Sequence, residues 1–143
     1  MLLGKASSLD AEFNAANPID VWVTNRANET KFNVVNDSTS DRTYAYSPNG
    51  SLNESYSLDD GNITPRGVAS SAADTTAWIV DSNGNVYVYN TIGVRLGSWG
   101  AGGLVNGAQV EGIATNGTDI RLVDAKSDKD YSDQRQPIRC RSL

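Results

Sequence analysis

Short apolar runs separated by tight turns mark most of the chain. Along Val86-Tyr87-Val88-Tyr89 the valines fall on one side and the tyrosines on the other, the two-residue period of a strand, and both sides are apolar enough to be covered. Thr76-Ala77-Trp78-Ile79-Val80-Asp81 comes before it, and Leu96-Gly97-Ser98-Trp99 follows after Gly93. The pattern predicts four strands at 66–70, 76–81, 85–90 and 94–99, joined as an antiparallel meander. Turns at Asn49-Gly50, Asn83-Gly84 and Asn116-Gly117 use residues that tolerate positive φ, as tight hairpins require. Nothing in these stretches has the period of a helix.

The pattern repeats. An earlier copy runs through Asn33-Val34-Val35-Asn36, Thr43-Tyr44-Ala45-Tyr46, Gly50 and Asn53-Glu54-Ser55-Tyr56. Tyr44 to Tyr87, Tyr46 to Tyr89, Gly50 to Gly93 and Tyr56 to Trp99 are each 43 apart. A later copy, Asp119-Ile120-Arg121-Leu122-Val123-Asp124, places Asp124 43 after Asp81, and Gly67-Val68-Ala69 recurs at Gly112-Ile113-Ala114 after 45. The second strands of the three copies should therefore be equivalent.

A four-stranded sheet of this size cannot bury both faces alone, so successive sheets must stack, and radial stacking of such units is a β-propeller. The expected fold is all-β: an incomplete propeller of two to three four-stranded antiparallel blades with a repeat of 43–45 residues. A closed ring takes at least about four blades, roughly 170 residues at this repeat length, against the 143 present. WD40 repeats have a similar length, but their Gly-His signature cannot occur in a chain without histidine. Pro65-Arg66-Gly67-Val68-Ala69 and Val110-Glu111-Gly112-Ile113-Ala114 instead resemble the opening of NHL-type repeats. The stretch from Lys31 to Tyr131 is similar to the NHL-like propellers embedded in large bacterial cell-surface proteins. That resemblance implies an extracellular or surface-bound parent protein and a binding scaffold.

The expected organisation is an N-terminal segment 1–18 with little order, blades at about 19–60 and 61–105, an incomplete blade at 106–133, and a basic tail at 134–143. Two departures motivate the last two limits. Arg121 stands where the middle copy has Trp78, and Asp130-Tyr131-Ser132-Asp133 stands where a third strand is due. The pattern is expected to stop there, and the chain as written is expected to lack an export signal.

Charge and composition narrow the function. The formal net charge is −5, and the last ten residues carry three arginines without an acid, so the preceding 133 carry −8. Acidic surfaces repel nucleic acid and anionic lipid, so neither nucleic acid nor membrane insertion is expected. A single Cys140 and no histidine exclude an internal disulfide, the usual zinc sites and every His-based triad.

Asn36, Asp81 and Asp124 end equivalent strands, and oxygen ligands of this kind suit calcium. Side chains of Asp and Asn after a strand also initiate turns by accepting from the backbone two residues on, and repetition in every blade is what that structural role predicts. Glu111 lies in an opening strand opposite its counterpart Arg66, where the two could meet across adjacent blades; no second carboxylate or base accompanies Glu111. Trp22, Trp78, Trp99, Tyr44, Tyr46, Tyr56, Tyr87 and Tyr89 are expected to fill the space between blades rather than to form a ligand platform. Asp41-Arg42 and Asp128-Lys129 read as turns with surface ion pairs. The N-x-S/T triplets at Asn28, Asn36, Asn53, Asn62 and Asn116 carry no weight in so Asn-, Ser- and Thr-rich a chain, and Cys140 has no activating neighbour in sequence.

No catalytic, cofactor or metal residue is assigned. The first functional reading is a non-catalytic propeller segment of a surface or secreted protein that presents loops to a protein or carbohydrate ligand. A calcium-dependent lactonase-type fragment and a gene remnant without independent activity are the alternatives. Self-association through uncovered end blades is expected.

Overall fold

The computed structural model describes residues 18–26, 29–36, 41–71, 75–116, 118–126, 129–133 and 140–142. Of the segment 1–18, expected to have little order, residues 1–17 lie outside them and Pro18 opens the first strand. Twelve strands follow one another: β1 (Pro18–Arg26), β2 (Glu29–Asn36), β3 (Arg42–Tyr46), β4 (Leu52–Ser57), β5 (Pro65–Ser70), β6 (Thr76–Asp81), β7 (Asn85–Asn90), β8 (Arg95–Gly100), β9 (Val110–Thr115), β10 (Ile120–Asp124), β11 (Lys129–Asp133) and β12 (Cys140–Ser142). They form three antiparallel four-stranded meanders, β1–β4, β5–β8 and β9–β12, with every strand beside its sequence neighbours. The first strands β1, β5 and β9 lie side by side and bring the sheets together as successive blades. The protein is an incomplete β-propeller.

The middle blade shows why this sequence adopts the form. Alternation in β6 sends Ala77 and Ile79 to one face and Trp78 and Val80 to the other, and β7 does the same with Tyr87 and Tyr89 against Val86 and Val88. Ala77, Ile79, Tyr87 and Tyr89 join Val35 of the first blade in one core, along with Val68 and Leu58. Trp78, Val80, Val86 and Val88 meet Val110, Ile120 and Leu122 of the third blade in another. Each sheet of a propeller is thus stabilised by burial against its neighbours, at about 25 cal/mol per Å² of apolar surface removed from water.

The end blades lack this second cover. In β10, Ile120, Leu122 and Asp124 are buried towards the middle blade while Arg121 and Val123 on the opposite face are exposed. That is where Arg121 stands in place of Trp78, on the face that none of the described residues covers. On the first blade Val21 and Val23 are exposed, although Val34 and Tyr46 on the same face are buried.

The 43-residue period holds in three dimensions. Gly50 and Gly93, one period apart, both turn with positive φ, 86° and 76°, and each donates its N–H three residues back, to Ser47 and Asn90. All three first strands carry a register slip at the same place, between Pro18 and Asp20, Pro65 and Gly67, and Val123 and Asp124 on the partner of β9.

The third blade differs from expectation. The pattern does not stop at Tyr131: β11 pairs with β10 along Lys129–Asp133, and Cys140–Ser142 of the basic tail pairs with β11 as a fourth strand. A ladder of backbone hydrogen bonds needs no apolar alternation, so a polar segment can extend a sheet whose first two strands are already seated.

Candidate functional site

Asn36, Asp81 and Asp124 are all buried, and each is spent on backbone donors. Asp81 Oδ2 accepts from Thr64 N–H at 2.7 Å and Oδ1 from Asn83 N–H at 3.0 Å. Asp124 Oδ1 accepts from Gln109 N–H at 2.8 Å and Lys126 N–H at 3.0 Å. Both carboxylates pin the turn that follows their strand to the linker that enters the blade. Asn36 Oδ1 accepts from Arg42 N–H, at the start of β3, at 2.7 Å. Among the described residues no three His, Cys, Asp or Glu side chains converge on a common point where a metal ion would sit.

The aromatic residues divide as their strand faces require. Trp78, Tyr87 and Tyr89 are in the cores between blades, with Trp99 packed on one of them. Tyr44 and Tyr46 stack on the first blade, ring centroids 6.3 Å apart, and burial, with the Tyr44 hydroxyl beside it, raises the Tyr46 pKa. Tyr56 reaches across to Gly93 so closely that no Cβ would fit there, and its hydroxyl donates to Glu54, which also receives Lys31 Nζ at 2.8 Å. The side chain of Trp22 lies outside the described residues.

The tyrosine hydroxyls have a role that sequence reasoning missed. Tyr87 Oη donates to Gly61 O at 2.7 Å, and Tyr89 Oη accepts from Asp59 N–H at 3.0 Å and from Asn62 Nδ2 at 3.2 Å. Asp59 also pairs with Arg95 at 3.3 Å. The linker 58–64 between the first two blades is thereby tied to the middle blade by the polar tips of residues whose rings fill its core. Among the described residues two buried side-chain atoms have no hydrogen-bond partner, Asn62 Oδ1 in this linker and Trp78 Nε1 in the core on the other face of the middle blade. A Tyr at a repeated strand position is the only advance signal, since its ring and its hydroxyl have separate tasks.

Arg66 and Glu111 occupy the slipped positions of β5 and β9, and Glu111 is exposed; the approach of the two strands runs through Gly67 and Gly112, one residue further on. Arg42 donates to Ser57 Oγ at 2.8 Å and Ser55 Oγ at 2.9 Å on β4. Asn36 and Asn62 are fully buried, which removes them as glycan acceptors. Asn28, Asp128 and the side chains of Lys129 and Cys140 lie outside the described residues.

What the fold leaves open is the loop end carrying the linkers between blades. There an open hollow of about 290 Å³ is lined by Ser82, Asn83, Ala101, Leu104, Asn106 and their neighbours. That is just under the size range of small-molecule sites, about 300–1,000 Å³. Its lining is amide, hydroxyl and aliphatic, without a charged group. The linker between the first two blades, at the same end, carries Ile63, 63% exposed.

No protein-family model matches the chain, and no curated relative does. Among solved structures it is similar to KlHsv2 with a loop replaced by a Gly-Ser linker, at TM-score 0.58 and 15% identity over 82% of this chain and 39% of that one. It is also similar to the β-propeller domain of Cps50 (Swd1) from Myceliophteria thermophila, at TM-score 0.59 and 9% identity over 82% of this chain and 35% of that one. The chain spans little more than a third of either. At such identities the likeness concerns the fold alone, and it agrees with an incomplete propeller.

Proposed function

We propose that the chain is a non-catalytic propeller segment of a surface or secreted protein, whose linker end contacts a protein ligand. The observation that carries this reading is the use of the polar groups. Asn36, Asp81 and Asp124, the side chains best suited to chemistry, are buried and committed to backbone donors. The exposed Ile63, Val105 and Asn106 gather on the linkers. Loops held by a rigid scaffold are the ordinary seat of recognition. The mix of aliphatic and amide groups suits a peptide better than a sugar, which would want an exposed ring to stack on. The surface location rests on the resemblance of the repeats alone.

Panning a random-peptide display library against the folded chain tests the reading. Enriched peptides should lose binding to the double variant Ile63→Asp, Val105→Asp. A glycan array that yields a ligand while the peptide library yields none would overturn it, as would peptides indifferent to the double variant.

A further inference from the structure

Four Asn-Gly pairs occur in the chain, at Asn49-Gly50, Asn83-Gly84, Asn106-Gly107 and Asn116-Gly117. Such a pair can rearrange covalently without an enzyme. The glycine nitrogen loses its proton and attacks the Asn Cγ, and a C–N bond forms while ammonia leaves. Water then opens the succinimide ring at either carbonyl, giving aspartate or isoaspartate. Two conditions govern the first step: the glycine N–H must be free to ionise, and the side-chain amide must be free to swing onto it.

Three of the pairs are restrained. Gly50 N–H donates to Ser47 O and Gly84 N–H to Asp81 O, each at 2.9 Å. Asn49 Oδ1 accepts from Ser51 N–H at 3.0 Å. Asn83 is held at both ends, with Oδ1 accepting from Asn85 N–H at 2.8 Å and Nδ2 donating to Gly61 O at 3.4 Å. Asn116 Oδ1 accepts from Thr118 and Asp119 N–H at 2.9 and 2.8 Å, and its Nδ2 donates to Asp119 Oδ2.

Asn106-Gly107 meets both conditions. The pair forms the centre of a turn closed by Ala108 N–H donating to Val105 O at 3.0 Å, with Gly107 at φ 75°. That geometry leaves the Gly107 N–H outside the turn's hydrogen bond. Neither the Gly107 N–H nor the Asn106 amide has a hydrogen-bond partner among the described residues, and both residues are exposed to water. Lys126 Nζ stands 2.9 Å from where a Cβ on Gly107 would lie, so a positive charge is beside the nitrogen that must become an anion.

We infer that Asn106 is a site of spontaneous modification, converted to aspartate and isoaspartate ahead of the other Asn-Gly pairs. The change adds one negative charge to the wall of the linker hollow. It is independent of what that end binds.

The test uses the unaltered chain. It is incubated folded at mildly alkaline pH, digested, and followed by mass spectrometry for the amide-to-acid mass change at each asparagine, with isoaspartate resolved by retention. Asn106 should react at least about tenfold faster than Asn49, Asn83 or Asn116, a barrier difference of roughly 1.4 kcal/mol. In concentrated urea the four rates should converge, because the restraints are lost. The inference is overturned if Asn49, Asn83 or Asn116 keeps pace in the folded chain. It is equally overturned if the lead of Asn106 persists in urea, which would make it a property of local sequence.

Discussion

Gly67 and Gly112 occupy the same position in consecutive blades, opposite Val80 and Val123, yet the same substitution should have opposite effects at the two. A Cβ added to Gly67 would lie 3.1 Å from Gly112 Cα and 3.3 Å from Ile113 N. Those are backbone atoms of the neighbouring blade, and they cannot rotate away. A Cβ on Gly112 meets nothing within 4 Å among the described residues. Neither glycine has positive φ, so alanine suits both backbones. Gly→Ala at a compatible position gains about 0.4–1 kcal/mol by narrowing the unfolded ensemble, and this gain is common to both variants. Overpacking at Gly67 costs typically about 1–3 kcal/mol, and the difference between the variants is that clash. With a urea slope of about 1–3 kcal/mol/M, the midpoints should separate by on the order of 1 M. Gly112→Ala should lie at or above the parent and Gly67→Ala below it. The assay is urea unfolding by tryptophan fluorescence, at a protein concentration where sedimentation shows monomer. Equal midpoints would mean that β5 and β9 are not in contact, and would refute the stacking of the blades.

Trp78→Ala should cost about 3–5 kcal/mol in the same assay, since its ring is buried between two blades; a loss under about 1 kcal/mol would show the ring outside the core. Asp81→Ala leaves the Thr64 and Asn83 N–H groups without their acceptor and should destabilise by roughly 1–3 kcal/mol for each that stays buried, while calorimetric titration of the parent with calcium should give no heat; a micromolar site abolished by the same substitution would revive the lactonase reading. The pH dependence has two limbs. Glu54 is held below its ordinary pKa first by the hydrogen bond from Lys31 and next by that from Tyr56, so its stabilisation is present above the unfolded carboxylate pKa and is lost as pH falls through the depressed value. Tyr56 is pushed up to about 12, first by burial and then by Glu54, so its contribution is present below pH 10 and is lost as pH rises from there towards 12. Tyr56→Phe should reduce the alkaline limb, to which the raised Tyr46 and Tyr89 also contribute, and Glu54→Gln should reduce the acid one; unchanged limbs in melts across pH would refute the assignment. Val123 is half exposed on the open face of the third blade, so Val123→Asp should shift sedimentation equilibrium of the chain towards monomer; a parent that is already monomeric at every concentration would show that this face does not mediate association.

Much of the fold was legible because its signals are local. The two-residue alternation of Val86-Tyr87-Val88-Tyr89 needs only the geometry of an extended chain, and the observed strands at 76–81 and 85–90 have the predicted bounds. Tyr44 and Tyr87, Gly50 and Gly93, and Asp81 and Asp124 took equivalent places because a repeated sequence meets repeated surroundings. The turn role of Asp81 was likewise readable, because a short acceptor side chain after a strand finds the nearest backbone donors whatever else surrounds it. Its second bond, to Thr64 in the linker 17 residues earlier, was not, since it depends on where that linker returns.

What only the tertiary structure decided is which faces are covered and what each polar tip reaches. Val80 and Val123 share a position and a residue type, yet Val80 is fully buried and Val123 half exposed, because one has a blade on that side and the other does not. The polar stretch 129–133 carries no strand signal but is a strand, since β10 supplies a ready row of donors and acceptors. Asn83 and Asn106 each precede a glycine and differ in whether a neighbouring backbone holds the amide and in whether the glycine N–H is bonded. Periodicity belongs to the chain and can be read from it; cover and hydrogen-bond partnership belong to pairs of segments far apart in sequence, and packing alone brings them together.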